Sequence, residues 1–195
     1  MKSSEISFFT NIELEEFNFK ALGKSVKISR KVSIYNACSI EIGDFSRIDD
    51  FCVLSAGING ICIGKNVHMA VYSCLIGKAR IEINDFVNIS SRVSIYSSND
   101  DYTGEFMTNP TVDPKYTNVV SAPVFVRRHS IIGSGSVILP GVTLGQGVCI
   151  GALSLVNKSC DPFNIYGGVP IKFIKERSRG LEQKLLQKLQ DEQGS

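Results

Sequence analysis

Acid and amide groups crowd one short stretch of this chain: Asn99, Asp100 and Asp101, with Glu105 four positions on. A carboxylate in such a cluster can hold an ammonium group, orient it and take its proton as the amine becomes a nucleophile. The same residues also favour an Asx turn, because Asn-Asp-Asp-Tyr-Thr-Gly is a turn-forming run. Just upstream, Ser90 and Ser91 offer hydroxyls that could relay a proton. Tyr96 and Tyr102 offer flat faces on which a base or a ring could stack. Arg127 and Arg128 are adjacent cations that could grip a diphosphate bidentately. His129 follows them and, with His68, completes the chain's set of imidazoles. Either histidine could serve as a general base, although neither lies in the acidic stretch.

These groups hang on a repeating chain. From Val126 a large aliphatic residue recurs every six positions, at Ile132, Ile138, Leu144, Ile150 and Val156. Four residues after each stands a small one: Ser130, Ser136, Val142, Val148, Ser154 and Cys160. The pattern also runs upstream through Leu22, Ile28, Ile34, Ile42, Ile48, Ile63, Met69, Leu75, Ile83 and Ile89, with Cys38 and Cys52 among the small partners. A period of six fits neither the helical repeat of about 3.6 nor the strand repeat of about 2. It predicts a solenoid of flat faces, in which the aliphatic residue fills the coil and the small partner fits a corner. Three faces make a coil of about eighteen residues, and stacked coils bury a continuous apolar column.

Residues 1–21 read as an N-terminal cap, with Phe8, Phe9, Leu14, Phe17 and Phe19 covering the first coil. Residues 22–161 read as the solenoid, interrupted over 97–123, where the period vanishes. A long non-repetitive excursion from a rigid solenoid points to function rather than folding. Residues 162–195 read as a Gly/Pro-rich exit and then an amphipathic helix, with Leu181, Leu185 and Leu189 as its apolar stripe.

Composition narrows the classes. Charged residues make up 21% of the 195 and nearly balance, for a formal net charge of +2. That is no basic footprint of a nucleic-acid binder, though it suits a phosphorylated ligand. The N-terminal stretch has neither a basic start nor an unbroken apolar run, so no signal peptide or membrane span is expected and the cytoplasm is the default. Of the six cysteines, Cys38, Cys52 and Cys160 fall in the small slot and read as small hydrophobes. No CxxC or Cys/His cluster occurs, so no metal is expected.

The repeats, the single insertion and the stretch Ile131–Arg177, from IIGSGSVILPGVTLG to GGVPIKFIKER, together resemble the left-handed β-helix, hexapeptide-repeat acyltransferases. The insertion YSSNDDYTGEFMTNP is similar to the substrate loop of nucleotide-linked amino-sugar N-acetyltransferases of bacterial surface-polysaccharide pathways, O-antigen among them. The resemblance covers Leu22 to Arg177. It implies an all-β, left-handed parallel β-helix with one long inserted loop and a C-terminal α-helix. It also implies a homotrimer with active sites between subunits, acetyl-CoA as co-substrate, and a dTDP- or UDP-linked amino-deoxysugar as acceptor. It sets the pantetheine arm along Gly133, Ser134, Ser136, Gly151 and Ala152, and the cofactor phosphates near Lys158, Lys172 and Lys175.

On that footing the residues named first take roles. Asp100 or Asp101 would hold the amine, and Ser91 or Ser90 would relay a proton to the departing thiolate. Asn99, Tyr96, Tyr102, Glu105, Arg127 and Arg128 would surround the acceptor, with His129 a further candidate base. Two departures matter. Many relatives carry Trp where this chain has Ile131, and many O-acetyltransferases of the family carry a catalytic His in the insertion, which this chain lacks. A hydroxyl needs a base to attack a thioester, whereas an amine with a pKa of roughly 7.7–8.0 is partly neutral already. N-acylation is therefore the expected reaction. A sugar or glycan O-acetyltransferase using His68 or His129 is the alternative, and a non-catalytic sugar-nucleotide-binding solenoid the next. A zinc carbonic anhydrase on this fold would need three imidazoles around its metal.

Overall fold

A computed structural model of the chain describes residues 7–193. The backbone winds as a prism with three walls, each a sheet of short parallel strands. The first wall runs from Ala21–Leu22 through Ile81–Ile83 and Val124–Val126 to Thr143–Leu144. The second runs from Lys27–Ile28 through Asn88–Ile89 and Ile131–Ile132 to Asn164–Gly167. The third runs from Ser33–Tyr35 through Ser94–Tyr96 to Leu155–Val156. Along each strand the repeat's aliphatic residue faces in. Ile28, Ile48, Met69, Ile89, Ile132, Ile138, Leu144 and Ile150 are each no more than 1% exposed. Burying one such side chain contributes roughly 1.5–3 kcal/mol of transfer free energy.

The small partners do fill the corners. Ser46, Ser130 and Ser136 are buried there, and their hydroxyls donate to the carbonyls of Gly64, Gly145 and Gly151 at 2.7, 3.0 and 3.0 Å. Such bonds satisfy carbonyls that a turn would otherwise bury unpaired. Cys38 departs from the expectation and is exposed. It sits on the single turn Ala37–Ser39, where residues added at the corner between the third and first walls lift it out of the coil. The pairing registers show the same enlargement: Val126 pairs with Leu144 eighteen residues on, whereas Leu22 pairs with Ile42 and Ile42 with Ile63.

The corner between the first and second walls and the corner between the second and third are ladders of left-handed residues. Phe45, Asn66, Phe86, His129 and Phe163 form one, with φ from 54° to 62°; Phe51, Tyr72, Arg92 and Leu153 form the other, with φ from 57° to 63°. Left-handed backbone costs a residue with a Cβ roughly 1–2 kcal/mol. Here it turns each N–H onto the coil beneath: Phe86 donates to Lys65, His129 to Asp85, Tyr72 to Asp50 and Arg92 to Val71. Equivalent side chains consequently stack at the coil spacing, Phe51 on Tyr72 at 4.9 Å and Phe86 on His129 at 5.1 Å.

Both ends are covered. A short helix, α1 (Asn11–Glu16), buries Leu14 over the first coil, and Phe9 and Phe19 pack against the core. Its capping box joins Thr10 to Glu13, and Arg30 grips Glu13 at 2.7 and 2.6 Å. At the far end Lys172–Glu176 adds an antiparallel strand to Asn164–Gly167, so the second wall continues beyond residue 161. The C-terminal helix, α2 (Gly180–Gln193), follows, tied to the prism by Gln146 and Glu182 at 2.8 Å. Leu181 and Leu185 are half-buried; the side chain of Leu189 lies outside the described residues. Among the described residues no helix is long and apolar enough to cross a membrane.

The inward column should dominate stability. Ile138→Asp should cost at least about 3 kcal/mol, enough to abolish cooperative folding, because an unpaired charge enters the column. Thr143→Asp on the outward side should shift the unfolding midpoint by about 0.5 kcal/mol or less. Thermal and urea unfolding of the two variants checks this.

Candidate active site

The insertion leaves the prism at the corner between the third and first walls. Ser98–Asn99 runs out and Val120–Ser121 returns antiparallel to it, feeding Val124–Val126. The arm is clipped internally by Met107 donating to the Tyr116 carbonyl at 2.9 Å and by Asn109 accepting from Thr111 at 2.8 Å. Between arm and prism lies a cleft of about 510 Å³, lined by Ile76, Lys78, Tyr96, Ser98, Asn99, Asp100, Asn109, Pro110 and the arm's Val112 to Val119 side. Burial raises the Tyr96 phenol above its ordinary pKa, with nearby Cys74 adding to the effect, so the group stays protonated and able to donate.

The two adjacent aspartates separate. Asp100 is exposed and lines the cleft. Asp101 is half-buried and committed to the arm, accepting from the Thr103 hydroxyl at 3.0 and 2.9 Å and from the Gly104 N–H at 3.0 Å. Desolvation pushes its pKa up, but the Thr103 and backbone hydrogen bonds outweigh it and hold the carboxyl below the usual range. The turn anticipated from the sequence thus consumes Asp101 and leaves Asp100 facing the cleft. Tyr102, 90% exposed, and Glu105 do not line it. Lys78 and Asn109 do, and sequence reasoning missed both, because only the folded-back arm brings them to Asp100.

A second group assembles at the corner between the second and third walls. The Ser91 carbonyl accepts from Gly135, and that of Ser134 accepts from Leu153, so Ser91, Ser134 and Ala152 fall in one column. Ser134 and Ala152 are exposed. Gly133 is required by packing, since a Cβ there would lie 2.5 Å from the Ala152 nitrogen. Gly151 is not so required, its nearest neighbour being the Tyr166 carbonyl at 3.5 Å. The missing side chain at Gly151 leaves backbone open to an extended ligand. Ser136 must be removed from this group: it is wholly buried, and its hydroxyl is spent on the Gly151 carbonyl. Lys172 and Lys175 are exposed on the outermost strand of the second wall, whereas Lys158 follows the third wall, at another corner.

The third group sits at the corner between the first and second walls. Arg127 is held by Glu82 at 3.1 Å, which also takes Arg80 at 3.1 Å. Arg128 is exposed. Burial, then Arg128, lowers the pKa of His129, whose ring is stacked on Phe86. His68 lies on the outward face of the second wall with Nε2 on Asp49 at 2.9 Å and Nδ1 on Asn88 at 3.1 Å. Both its nitrogens are engaged. Asp100, Ser91 and His129 therefore occupy three different corners, and a single prism does not bring them together. Among the described residues no cluster of His, Cys, Asp and Glu is fit to hold a metal ion.

No family model matches the chain. A dTDP-4-amino-4,6-dideoxy-D-glucose acyltransferase from Escherichia coli is 51% identical over 176 residues, covering 90% of this chain and 92% of its own length. A galactoside O-acetyltransferase from Escherichia coli K12 is 27% identical over 150 residues, covering 77% and 70%. Among solved structures, AntD, an N-acyltransferase from Bacillus cereus in complex with dTDP and 3-hydroxybutyryl-CoA, matches with a TM-score of 0.91 at 42% identity, over 97% of this chain and 99% of that one. Other AntD crystals hold dTDP-4-amino-4,6-dideoxyglucose and coenzyme A in a form with one serine replaced. Further forms replace an aspartate ten residues after that serine.

The Asp101 turn carries a pH signature. Because its folded-state pKa is lowered, its hold on the arm is present above the ordinary Asp pKa of roughly 4 and is lost as pH falls through the lowered value. Asp101→Ala should open the arm at neutral pH. Limited proteolysis should then cut residues 100–117 faster in the variant, with the unfolding midpoint of the prism nearly unchanged.

Proposed function

This chain belongs to the left-handed β-helix, hexapeptide-repeat acyltransferases, and we propose that it transfers an acyl group from a coenzyme A thioester to the amine of a dTDP-linked 4-amino-4,6-dideoxysugar. The carrying observation is the cleft under the arm, where Asp100 faces open space beside Asn99 and Tyr96. The acyltransferase from Escherichia coli that is 51% identical to this chain is named for that acceptor, and AntD has been crystallised with it. Acetyl-CoA is the donor we assign, its arm running along the column of Ser134, Gly151 and Ala152.

The chemistry asks little of an enzyme. Asp100 accepts a hydrogen bond from the acceptor ammonium and takes the proton it sheds. The neutral amine then attacks the thioester carbonyl, the C–S bond breaks, and coenzyme A leaves as thiolate, which takes up the surplus proton with Ser90 or Ser91 beside it. No imidazole is required. That agrees with His68, whose nitrogens are both engaged, and with His129, stacked at a different corner. In AntD the replaced serine and aspartate stand ten residues apart; here that spacing joins Ser90 to Asp100 and Ser91 to Asp101.

The separation of the groups across corners supports a homotrimer, in which one prism's donor column faces a neighbour's acceptor cleft. On the third wall the outward residues Val53, Cys74, Ile76, Val137 and Leu155, interspersed with Ser33, Ser55 and Ser94, are apolar and only half-buried in the lone chain, which favours such packing. Substrates of this class support a cytoplasmic enzyme whose product enters a surface glycan such as O-antigen.

Incubating the protein with acetyl-CoA and dTDP-4-amino-4,6-dideoxyglucose should release free thiol, and the hydroxyl analogue lacking the amine should release none. Asp100→Asn should lower kcat/KM for the amine about ten- to a hundredfold, the scale of one lost charged hydrogen bond, with the dissociation constant of CoA unchanged. Turnover of the hydroxyl analogue alone would overturn the reading.

A further inference from the structure

Lys78 lies in the enlarged corner that follows the third-wall strand Cys74–Gly77. The arm, leaving the prism one coil later, folds over that corner so that Lys78 and Asp100 line the same cleft. Among the described residues neither belongs to an ion pair, whereas eight other lysines and arginines do. Lys78 is exposed, and its backbone N–H is already used, donating to the Ser98 hydroxyl at 3.3 Å. The cleft therefore presents one cation and one anion that form no ion pair with each other, in a lining that also holds Asn99, Asn109 and Tyr96.

Such a cleft is complementary to a ligand that is itself doubly charged, with an ammonium at one end and a phosphate at the other. We infer that Lys78 binds the diphosphate of the nucleotide-linked acceptor and, with Asp100 on the amine, fixes the direction in which the acceptor lies. This rests on the function proposed above and adds to it the residue that selects a nucleotide-linked amine over a free amino sugar. Of the Arg127–Arg128 pair that sequence reasoning set against the diphosphate, Arg127 is already held by Glu82, and the exposed Arg128 stands with it at another corner, away from the cleft. A lysine ammonium contributes a compact charge with three donors, well suited to phosphate oxygens without demanding one fixed geometry.

Titration calorimetry of the whole protein with dTDP, thymidine and CoA tests the assignment. Lys78→Gln should weaken dTDP at least about tenfold, the scale of a lost charge-assisted hydrogen bond. It should leave thymidine and CoA unchanged, and Lys78→Arg should restore most of the dTDP affinity. In steady state, Lys78→Gln should raise KM for the nucleotide-linked amine far more than it lowers kcat. Because Lys78 is exposed, the melting temperature should not move. Equal dTDP affinity in Lys78→Gln and the parent would overturn the inference, as would a loss shared with CoA, or a parent protein that does not bind dTDP. Acyl transfer that survives alongside unchanged dTDP affinity would leave the proposed reaction standing and remove only the lysine.

Discussion

Each coil is held in register by the coil beneath it, and that constraint shapes every other feature of the molecule. At two corners a left-handed residue aims its N–H down the stack, so the hydrogen-bond ladder continues around the bend. The conformational cost at Phe86, His129 or Tyr72 is met by that bond and by stacking of the corner side chains. A consequence is that side chains at one corner form a straight column. Function can then be read by column: Ser91, Ser134 and Ala152 share one, and Phe86 and His129 share another.

The third corner escapes this rule. It accepts extra residues in the early coils and finally the whole arm, and the cleft lined by Lys78, Tyr96 and Asp100 forms beneath that arm. The arm's own order comes from the Asp101 turn and the Asn109 and Asp113 contacts, and its base is tied to the prism where Lys78 donates to Ser98. One aspartate organises the arm so that its neighbour can face the cleft. Adjacent residues of identical type thus divide a structural task and a chemical one.

The solenoid was legible because one physical rule repeats: large inside, small at the corner. The rule even named the buried serines, although it could not say that Ser136 was consumed by the Gly151 carbonyl. It failed at Cys38 because the spacing alone does not register residues added at a corner. The helix at Asn11–Glu16 announced itself through Thr10 and Glu13, a capping-box spacing that was overlooked. The strand Lys172–Glu176 carried no period and was invisible. Within the site, acids and tyrosines stood out by type. Lys78 did not, since a lysine in a turn is ordinary until the arm closes over it.

The account stands or falls on where the acceptor lies. A crystal structure of the protein with coenzyme A and dTDP-4-amino-4,6-dideoxyglucose is the most direct measurement. It should show the sugar amine within hydrogen-bond distance of Asp100, under the arm, and the cofactor sulfur approaching from a column of Ser91, Ser134 and Ala152. An acceptor seated instead at Arg128 and His129, with the cleft under the arm vacant, would contradict it.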